Sequence, residues 1–252
     1  MFALFPQALA FLRKQPVFAS IALWLLAVPY TLADITRELL ERGGWQTGFF
    51  PSAGPQDSQR LNALPLIIAI NLAVLLLHAW ADSANLIVAR RLLKKNVGRA
   101  RTSFKAVARQ ARPFIVPIIL TSILWVCQLG LGLVFLIIPG VIIGTRTFFF
   151  PMATVAEGKL YRASLRRSTE VVRGRTVRTL WNIMVIAAVV FLPVSIMTFF
   201  IDRAIEAAPF GVVVIGRFLA NTLLAIGVVT CDILMTLLYV KLLNTRHRVK
   251  EA

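Results

Sequence analysis

Residues 63–91 read ALPLIIAINLAVLLLHAWADSANLIVARR, and this stretch decides the fold class. It holds one acid, Asp82, before the basic pair Arg90 and Arg91. A helix of about 20 apolar residues spans the ~30 Å hydrocarbon core of a bilayer at 1.5 Å per residue. The stretch therefore predicts a transmembrane helix that ends at a positively charged membrane face.

The rest of the 252-residue chain repeats this pattern, since it is 58% hydrophobic and only 15% charged. A soluble domain is about a quarter charged. The apolar blocks predict spans at 17–36, 63–88, 113–130, 132–154, 179–200 and 218–240. The expected fold is all-α, a polytopic membrane protein whose six helices form three hairpins in a single domain, 1–252. The first span is expected to remain uncleaved, and Gly130 to Gly132 is predicted to form the turn between spans three and four.

The basic residues are distributed unevenly along the chain. Twenty-two of the 28 Lys and Arg lie in segments on one predicted side, and five lie on the other. The positive-inside rule then places both termini in the cytoplasm. The net charge of +17 is therefore attributed to topology, and no nucleic-acid partner is predicted.

Two of the basic segments are amphipathic at helical spacing, and they are predicted to be interfacial helices. In 98–112, Arg101, Lys105, Arg109 and Arg112 line one face, opposite Phe104, Val107, Ala108 and Ala111. The segment 160–175, with Arg166 and Arg167, is similar but less regular. A basic amphipathic helix beside a span attracts anionic headgroups. These side chains are thus predicted to bind lipid or a partner, and the alternative is that they only set topology.

Among the ionisable residues inside the predicted spans, three stand out because they lie at similar depths from the basic side: Asp82, Arg146 and Asp232. Charges at such depth are costly unless they are paired. We therefore expect Asp82 and Asp232 to neutralise Arg146. The sequence leaves open whether this cluster is a binding site or a structural clamp.

Motifs for enzymatic or metal chemistry are lacking in the sequence. Cys127 and Cys231 lie in apolar blocks, and His78 and His247 lie far apart, so no metal-ligand spacing results. No P-loop, Gly-x-Ser-x-Gly or His-Glu-x-x-His motif occurs. We predict a protein that is not an enzyme and has neither cofactor nor metal.

Residues 133–178 read LVFLIIPGVIIGTRTFFFPMATVAEGKLYRASLRRSTEVVRGRTVR. An apolar span that opens on Ile-Pro-Gly, an acid at its end, then Ala-Ser-Leu-Arg-Arg-Ser and a later Gly resembles the YciC-like family of bacterial inner-membrane proteins. That family is related to the membrane domain of some glycerophosphodiester phosphodiesterases. The matching positions are Pro139, Gly140, Glu157, Ser168 and Gly174. The resemblance implies a six-helix inner-membrane protein, and the phosphodiesterase barrel itself is absent from this sequence.

Together these features predict a non-enzymatic protein of the bacterial inner membrane with a role in envelope or phospholipid maintenance. Its expected partners are anionic lipid headgroups, while a homo-oligomer or another membrane protein remains an open alternative. The rival prediction is a small-solute or ion transporter that uses Asp82, Arg146 and Asp232. A transporter would be expected to have helices that break near mid-membrane, which Pro117, Pro139 and Pro193 would permit.

Overall fold

The computed structural model describes residues 4–43, 63–93, 103–135, 137–206 and 208–251. All regular secondary structure within these residues is helical, which confirms the all-α fold class. The α-helices are α1 (Leu4–Lys14), α2 (Val17–Ile21), α3 (Val28–Arg42), α4 (Leu64–Leu93), α5 (Phe104–Phe135), α6 (Ile137–Thr147), α7 (Phe150–Glu157), α8 (Arg162–Val172), α9 (Thr176–Ile205) and α10 (Phe210–Glu251). A π-helical segment, Ala22–Ala27, joins α2 to α3.

Six stretches of the described chain are long and apolar enough to cross a membrane. They are Val17–Arg42, Leu64–Arg90, Phe104–Gly132, Ile137–Glu157, Thr176–Ile205 and Phe210–Thr245. The first combines α2, the π-helical segment and α3, and the fourth combines α6 and α7. The chain is therefore a multi-pass membrane protein with the predicted number of spans.

The α10 span and the α6–α7 span are the most buried of the six. Half of the most apolar window of each is buried inside the protein, against 11% in α4 and in α9. Large apolar side chains on the outer helices point away from the protein, such as Leu72, Val116 and Leu192. Side chains of this kind are stable against lipid hydrocarbon but not against water.

The two ends of the bundle are defined by where the helix termini meet. Leu4, Arg178 and Lys241, from α1, α9 and α10, lie around one cleft, and we call this face the basic end. At the opposite end, Arg217 at the start of α10 donates a 2.8 Å hydrogen bond to Asp202 near the end of α9. The helices α9 and α10 are therefore antiparallel, as expected for a hairpin.

The predicted turn at Gly130 to Gly132 is wrong, because α5 continues through both glycines to Phe135. Gly132 instead packs against the next helix: a Cβ added there would lie 2.7 Å from the Cα of Gly140. A Cβ at Gly144 would lie 2.7 Å from a Leu129 methyl carbon. Gly132, Gly140 and Gly144 therefore lie where α5 and α6 approach each other closely.

The basic segment before the third span is not a separate interfacial helix in this structure. From Phe104 onward it is continuous with α5. Its predicted apolar face is buried, as at Val107 and Ala111, but it is buried against protein rather than lipid headgroups. The indole N–H of Trp80 on α4 donates a 2.9 Å hydrogen bond to the Ala108 carbonyl, which ties the two helices together.

Candidate functional site

A cavity of about 260 Å³ lies between α4, α5, α7 and α10, and both predicted intramembrane acids line it. Asp82 comes from α4 and Asp232 from α10. Ser122, Trp125, Cys231, Phe148 and Phe150 form much of the remaining wall. The sequence therefore identified two carboxyl groups that the fold brings to one intramembrane cavity.

A chain of polar side chains connects these acids to the first span. The Asn85 amide on α4 donates a 2.8 Å hydrogen bond to Asp232 Oδ2. His78 Nε2 lies 3.5 Å from Asp82 Oδ2, and His78 Nδ1 lies 2.7 Å from the Tyr30 hydroxyl. In the tautomer whose Nδ1 accepts from the Tyr30 hydroxyl, the ring proton is on Nε2 and its N–H is directed toward Asp82.

Two polar atoms at this site have no hydrogen-bond partner in the described part of the protein. One is the side-chain amide oxygen, Oδ1, of Asn85, a residue that is 0% exposed. The other is the indole nitrogen of Trp125, which lines the cavity. A buried polar atom without a partner costs about 1–3 kcal/mol. A water or a polar solute in the cavity that accepts a hydrogen bond from the Trp125 indole would relieve this cost at that residue.

Arg146 does not join the acids, so the predicted three-residue cluster is wrong in that member. Its side chain is exposed, and its Nε donates a 3.1 Å hydrogen bond to the Thr176 hydroxyl at the start of α9. In the described residues its guanidinium makes no ion pair with Asp82 or Asp232. The long side chain reaches the end of the bundle, which relieves the cost of desolvating its charge.

The fourth span is interrupted beside the cavity. The helix α6 ends at Thr147 and α7 begins at Phe150, with two turn residues between them. The Ser168 hydroxyl on α8 accepts a 3.0 Å hydrogen bond from the Phe149 N–H and donates a 2.7 Å bond to the Arg146 carbonyl. One buried hydroxyl therefore satisfies two backbone groups that the interruption releases.

A second polar cluster, formed by Glu157, Arg167 and Tyr239, joins α7, α8 and α10. Arg167 Nε and the Tyr239 hydroxyl each donate a 2.6 Å hydrogen bond to the Glu157 carboxylate. Hydrogen bonding to that carboxylate raises the pKa of the Arg167 guanidinium, against the lowering effect of partial burial. Arg167 was predicted as a lipid or partner contact, and within the protein its charge is already paired with Glu157 and Glu170.

The remaining residues of the matched motif shape the same region of the backbone. Pro139 and Gly140 lie in α6, and Gly140 is the close contact of Gly132. Gly174, between α8 and α9, has a φ of +82°, which a residue with a Cβ rarely adopts. With Glu157 and Ser168, each of these positions has a structural explanation.

The other predicted headgroup residues lie on the surface where the structure describes them. Lys105, Arg109, Arg112 and Arg166 are exposed, and Arg101 lies outside the described residues. The Arg112 guanidinium lies 5.5 Å from the ring centroid of Trp80. Arg166 is 3.6 Å from Glu170, a long and highly exposed ion pair.

A cleft of about 280 Å³ opens at the basic end between α1, α9 and α10. Its polar lining consists of Arg175, Arg178, Thr179, Asn182, Lys241 and Thr245, beside leucines of α1 and α10. We call it the basic cleft.

Comparison of this chain with family models, with curated proteins and with solved structures finds no match. The resemblance to the YciC-like family therefore stays a prediction from residues 133–178.

Several site residues were missed at the level of sequence. Asp82 and Asn85 follow His78 by four and seven residues, so the three side chains form one polar stripe on a helix. That spacing was a signal that could have identified His78 and Asn85 beside Asp82. The basic cleft had no such signal, because it combines residues from three separate parts of the sequence, around Leu4, Arg178 and Lys241.

Proposed function

We propose that this chain is a non-enzymatic protein of the bacterial inner membrane that binds anionic phospholipid at its basic end and serves envelope or phospholipid maintenance. Uncompensated positive charge at that end carries the proposal. The segments with 22 Lys and Arg contain only three acids, Glu157, Glu170 and Glu251. Glu157 is already engaged by Arg167, and Glu170 is shared between Arg166 and Arg167.

The exposed face of α5 illustrates this excess of charge. In the described part of the chain, Lys105 and Arg109 make no ion pair with a protein carboxylate. Near an anionic membrane surface, each basic residue contributes about 1 kcal/mol to attraction, and the effect falls off within a Debye length. Several unpaired cations at the start of one span therefore favour anionic lipid around this end.

The proposed orientation has the basic end in the cytoplasm, which the positive-inside distribution and the resemblance to the YciC-like family both support. Reporter fusions after Asn96 and Ala252 are expected to read cytoplasmic, and fusions near Gly54 and Ala207 periplasmic. One position reading from the other side would contradict the orientation.

The lipid-binding proposal is tested by replacing Arg101, Lys105 and Arg109 together with Gln. Lipids retained by the purified, detergent-solubilised protein are counted by native mass spectrometry after exposure to mixed phosphatidylglycerol and phosphatidylcholine. The triple variant is expected to retain less phosphatidylglycerol than the wild type. Added salt is expected to reduce retention by the wild type, because it screens surface charge.

A matched control removes three positive charges at the opposite end, by changing Arg37, Arg42 and Arg203 to Gln. These residues pair with carboxylates at that end, so the control is expected to keep wild-type retention. Equal retention by the wild type and both variants, at low and high salt, would contradict the proposal.

A second candidate function is transport of an ion or small solute through the bundle. It is favoured by the interruption of the fourth span beside the cavity that Asp82 and Asp232 line. Transporter sites commonly use discontinuous helices and ionisable residues within the membrane. The interruption lies at Phe148 and Phe149, not at Pro117, Pro139 or Pro193, each of which lies within a helix.

The transport candidate is tested with purified protein in liposomes under imposed proton, Na⁺ or K⁺ gradients. A flux above that of empty liposomes, lost in Asp82→Asn with Asp232→Asn, would support it. Asp34→Asn is the control, since Asp34 lies in the first span and accepts a hydrogen bond from Asn221, away from the cavity. Wild-type flux equal to that of empty liposomes would contradict this candidate for those ions.

A further inference from the structure

The structure assigns a phosphate-binding site to the basic cleft, at the start of α9. Three cationic side chains line it, from Arg175, Arg178 and Lys241, and none of the described residues that line it is an Asp or a Glu. This inference rests on the proposed function and sharpens it, because it names one cleft as the site and a phosphate group as the ligand.

The hydroxyl of Thr179 is the observation that points to a ligand. Thr179 lines the cleft, is only 1% exposed, and its Oγ1 has no hydrogen-bond partner within the described residues. A helical threonine ordinarily donates to the carbonyl four residues earlier. Thr245 in the same cleft does so, with a 2.6 Å bond to the Lys241 carbonyl. Thr179 therefore retains a free donor inside a cationic cleft.

The backbone at this position adds further donors. The helix α9 begins at Thr176, and the preceding residue, Arg175, makes no side-chain cap to it. The first turn of a helix exposes backbone N–H groups and the positive end of the helix dipole, which together favour an anion. The amide of Asn182 lies one turn further along the same cleft.

These donors suit phosphate better than a carboxylate. Two arginines, a lysine and a hydroxyl need several acceptor oxygens with more than one negative charge. A phosphate monoester has three terminal oxygens and a charge of about −1.5 to −2 near pH 7. A carboxylate has two oxygens and one charge.

The remaining wall of the cleft is apolar and indicates what carries the phosphate. Leu4, Leu238 and Leu242 complete the lining of the cleft beside the cationic side chains. The volume, about 280 Å³, is near the lower bound of small-molecule sites, so the cleft holds a headgroup rather than a whole lipid. Its place at the ends of two spans sets it at headgroup depth. The ligand class is an organic phosphate, either a lipid headgroup or a soluble phosphomonoester.

The test measures binding to the full-length detergent-solubilised protein by native mass spectrometry. The probes are phosphatidic acid, phosphatidylcholine and soluble glycerol 3-phosphate. Arg178→Gln combined with Lys241→Gln is expected to weaken binding of the phosphomonoester by about tenfold or more, since each residue supplies a charge-assisted contact. Thr179→Val, which removes the hydroxyl at nearly constant volume, is expected to weaken it about three- to tenfold, and Thr179→Ser should restore it.

The matched control is Arg37→Gln with Arg203→Gln, which removes the same charge from the opposite end of the bundle. It is expected to leave this affinity within about twofold of the wild type. If the protein binds phosphatidic acid but not glycerol 3-phosphate, the ligand is a lipid headgroup. If it binds both with comparable affinity, the ligand is a soluble phosphomonoester. Either result supports the site.

Cleft variants that bind like the wild type, or that lose no more affinity than the control, would overturn the cleft as the site. The general lipid attraction tested with Arg101, Lys105 and Arg109 would then still stand. Both proposals would be overturned if the wild-type protein bound anionic lipid no better than phosphatidylcholine and did not bind glycerol 3-phosphate.

Discussion

Tyr239 on α10 donates its phenolic hydrogen to the carboxylate of Glu157 at the end of α7, with 2.6 Å between the two oxygens. The second carboxylate oxygen accepts from Arg167 on α8. The Glu157 carboxylate thus joins α7, α8 and α10. Because this cluster is internally satisfied, its arginine contributes to stability and not to the charge available for lipid.

Two adjacent arginines allow this assignment to be tested. Arg167 is 28% exposed and bonded to Glu157, whereas Arg166 is 86% exposed with only a long ion pair. Arg167→Gln is expected to lower the free energy of unfolding in detergent by about 1–3 kcal/mol, because Glu157 loses a charged partner. Arg166→Gln is expected to change it by less than about 0.5 kcal/mol. Equal melting temperatures for the two variants would contradict the cluster.

The close approach of α5 and α6 at Gly132 yields a second prediction. Gly132→Ala would place a Cβ 2.7 Å from the Cα of Gly140, so one helix must shift. We expect a loss of about 1–3 kcal/mol in thermal stability. Gly130→Ala is the control, because nothing lies within 4 Å of its added Cβ. A helical alanine there should be neutral or stabilising by up to about 1 kcal/mol. The same loss in both variants would mean that the helices do not meet at Gly132.

Depth within the membrane could be predicted from the sequence, but orientation around each helix axis could not. The depths of Asp82, Arg146 and Asp232 follow from residue counts at 1.5 Å per residue. Which way each side chain points depends on packing. In a helix that is apolar on every side, the hydrophobic pattern does not distinguish the side that faces lipid from the side that faces protein. The two acids meet in the structure, whereas Arg146 extends to Thr176.

The interruption of the fourth span had only a weak local signal, which is Pro151 in the first turn of α7. Residues 148–151 read FFFP, and a proline within a span more often kinks a helix than divides it. The break depends on Ser168, which lies nineteen residues further along the chain from Phe149. Sequence reasoning singled out Ser168 by family resemblance, but its contact with the backbone at Phe149 required the fold.

Ser168 therefore provides a third prediction. Ser168→Ala leaves the Phe149 N–H and the Arg146 carbonyl without their shared partner. Each unsatisfied buried group costs about 1–3 kcal/mol, so the variant should melt at a clearly lower temperature. Ser195→Ala is the control, since Ser195 is exposed on α9 and is expected to have little effect. Faster backbone hydrogen exchange around Phe149 in Ser168→Ala alone would locate the damage at the interruption. Unchanged exchange there would contradict the bridging role.

The last prediction concerns the two acids and the arginine that does not join them. Asp82 and Asp232 line one cavity, so their substitutions should interact. In a double-mutant cycle on thermal stability, Asp82→Asn and Asp232→Asn are expected to be non-additive by about 0.5–3 kcal/mol, as is usual for groups in one network. Arg146→Gln should be additive with either change within about 0.5 kcal/mol, because its guanidinium contacts Thr176 instead. A large interaction between Arg146 and either acid would show that the arginine reaches the cavity. Full additivity of the two aspartates would mean that they do not share a site, and the transport candidate would lose its physical basis.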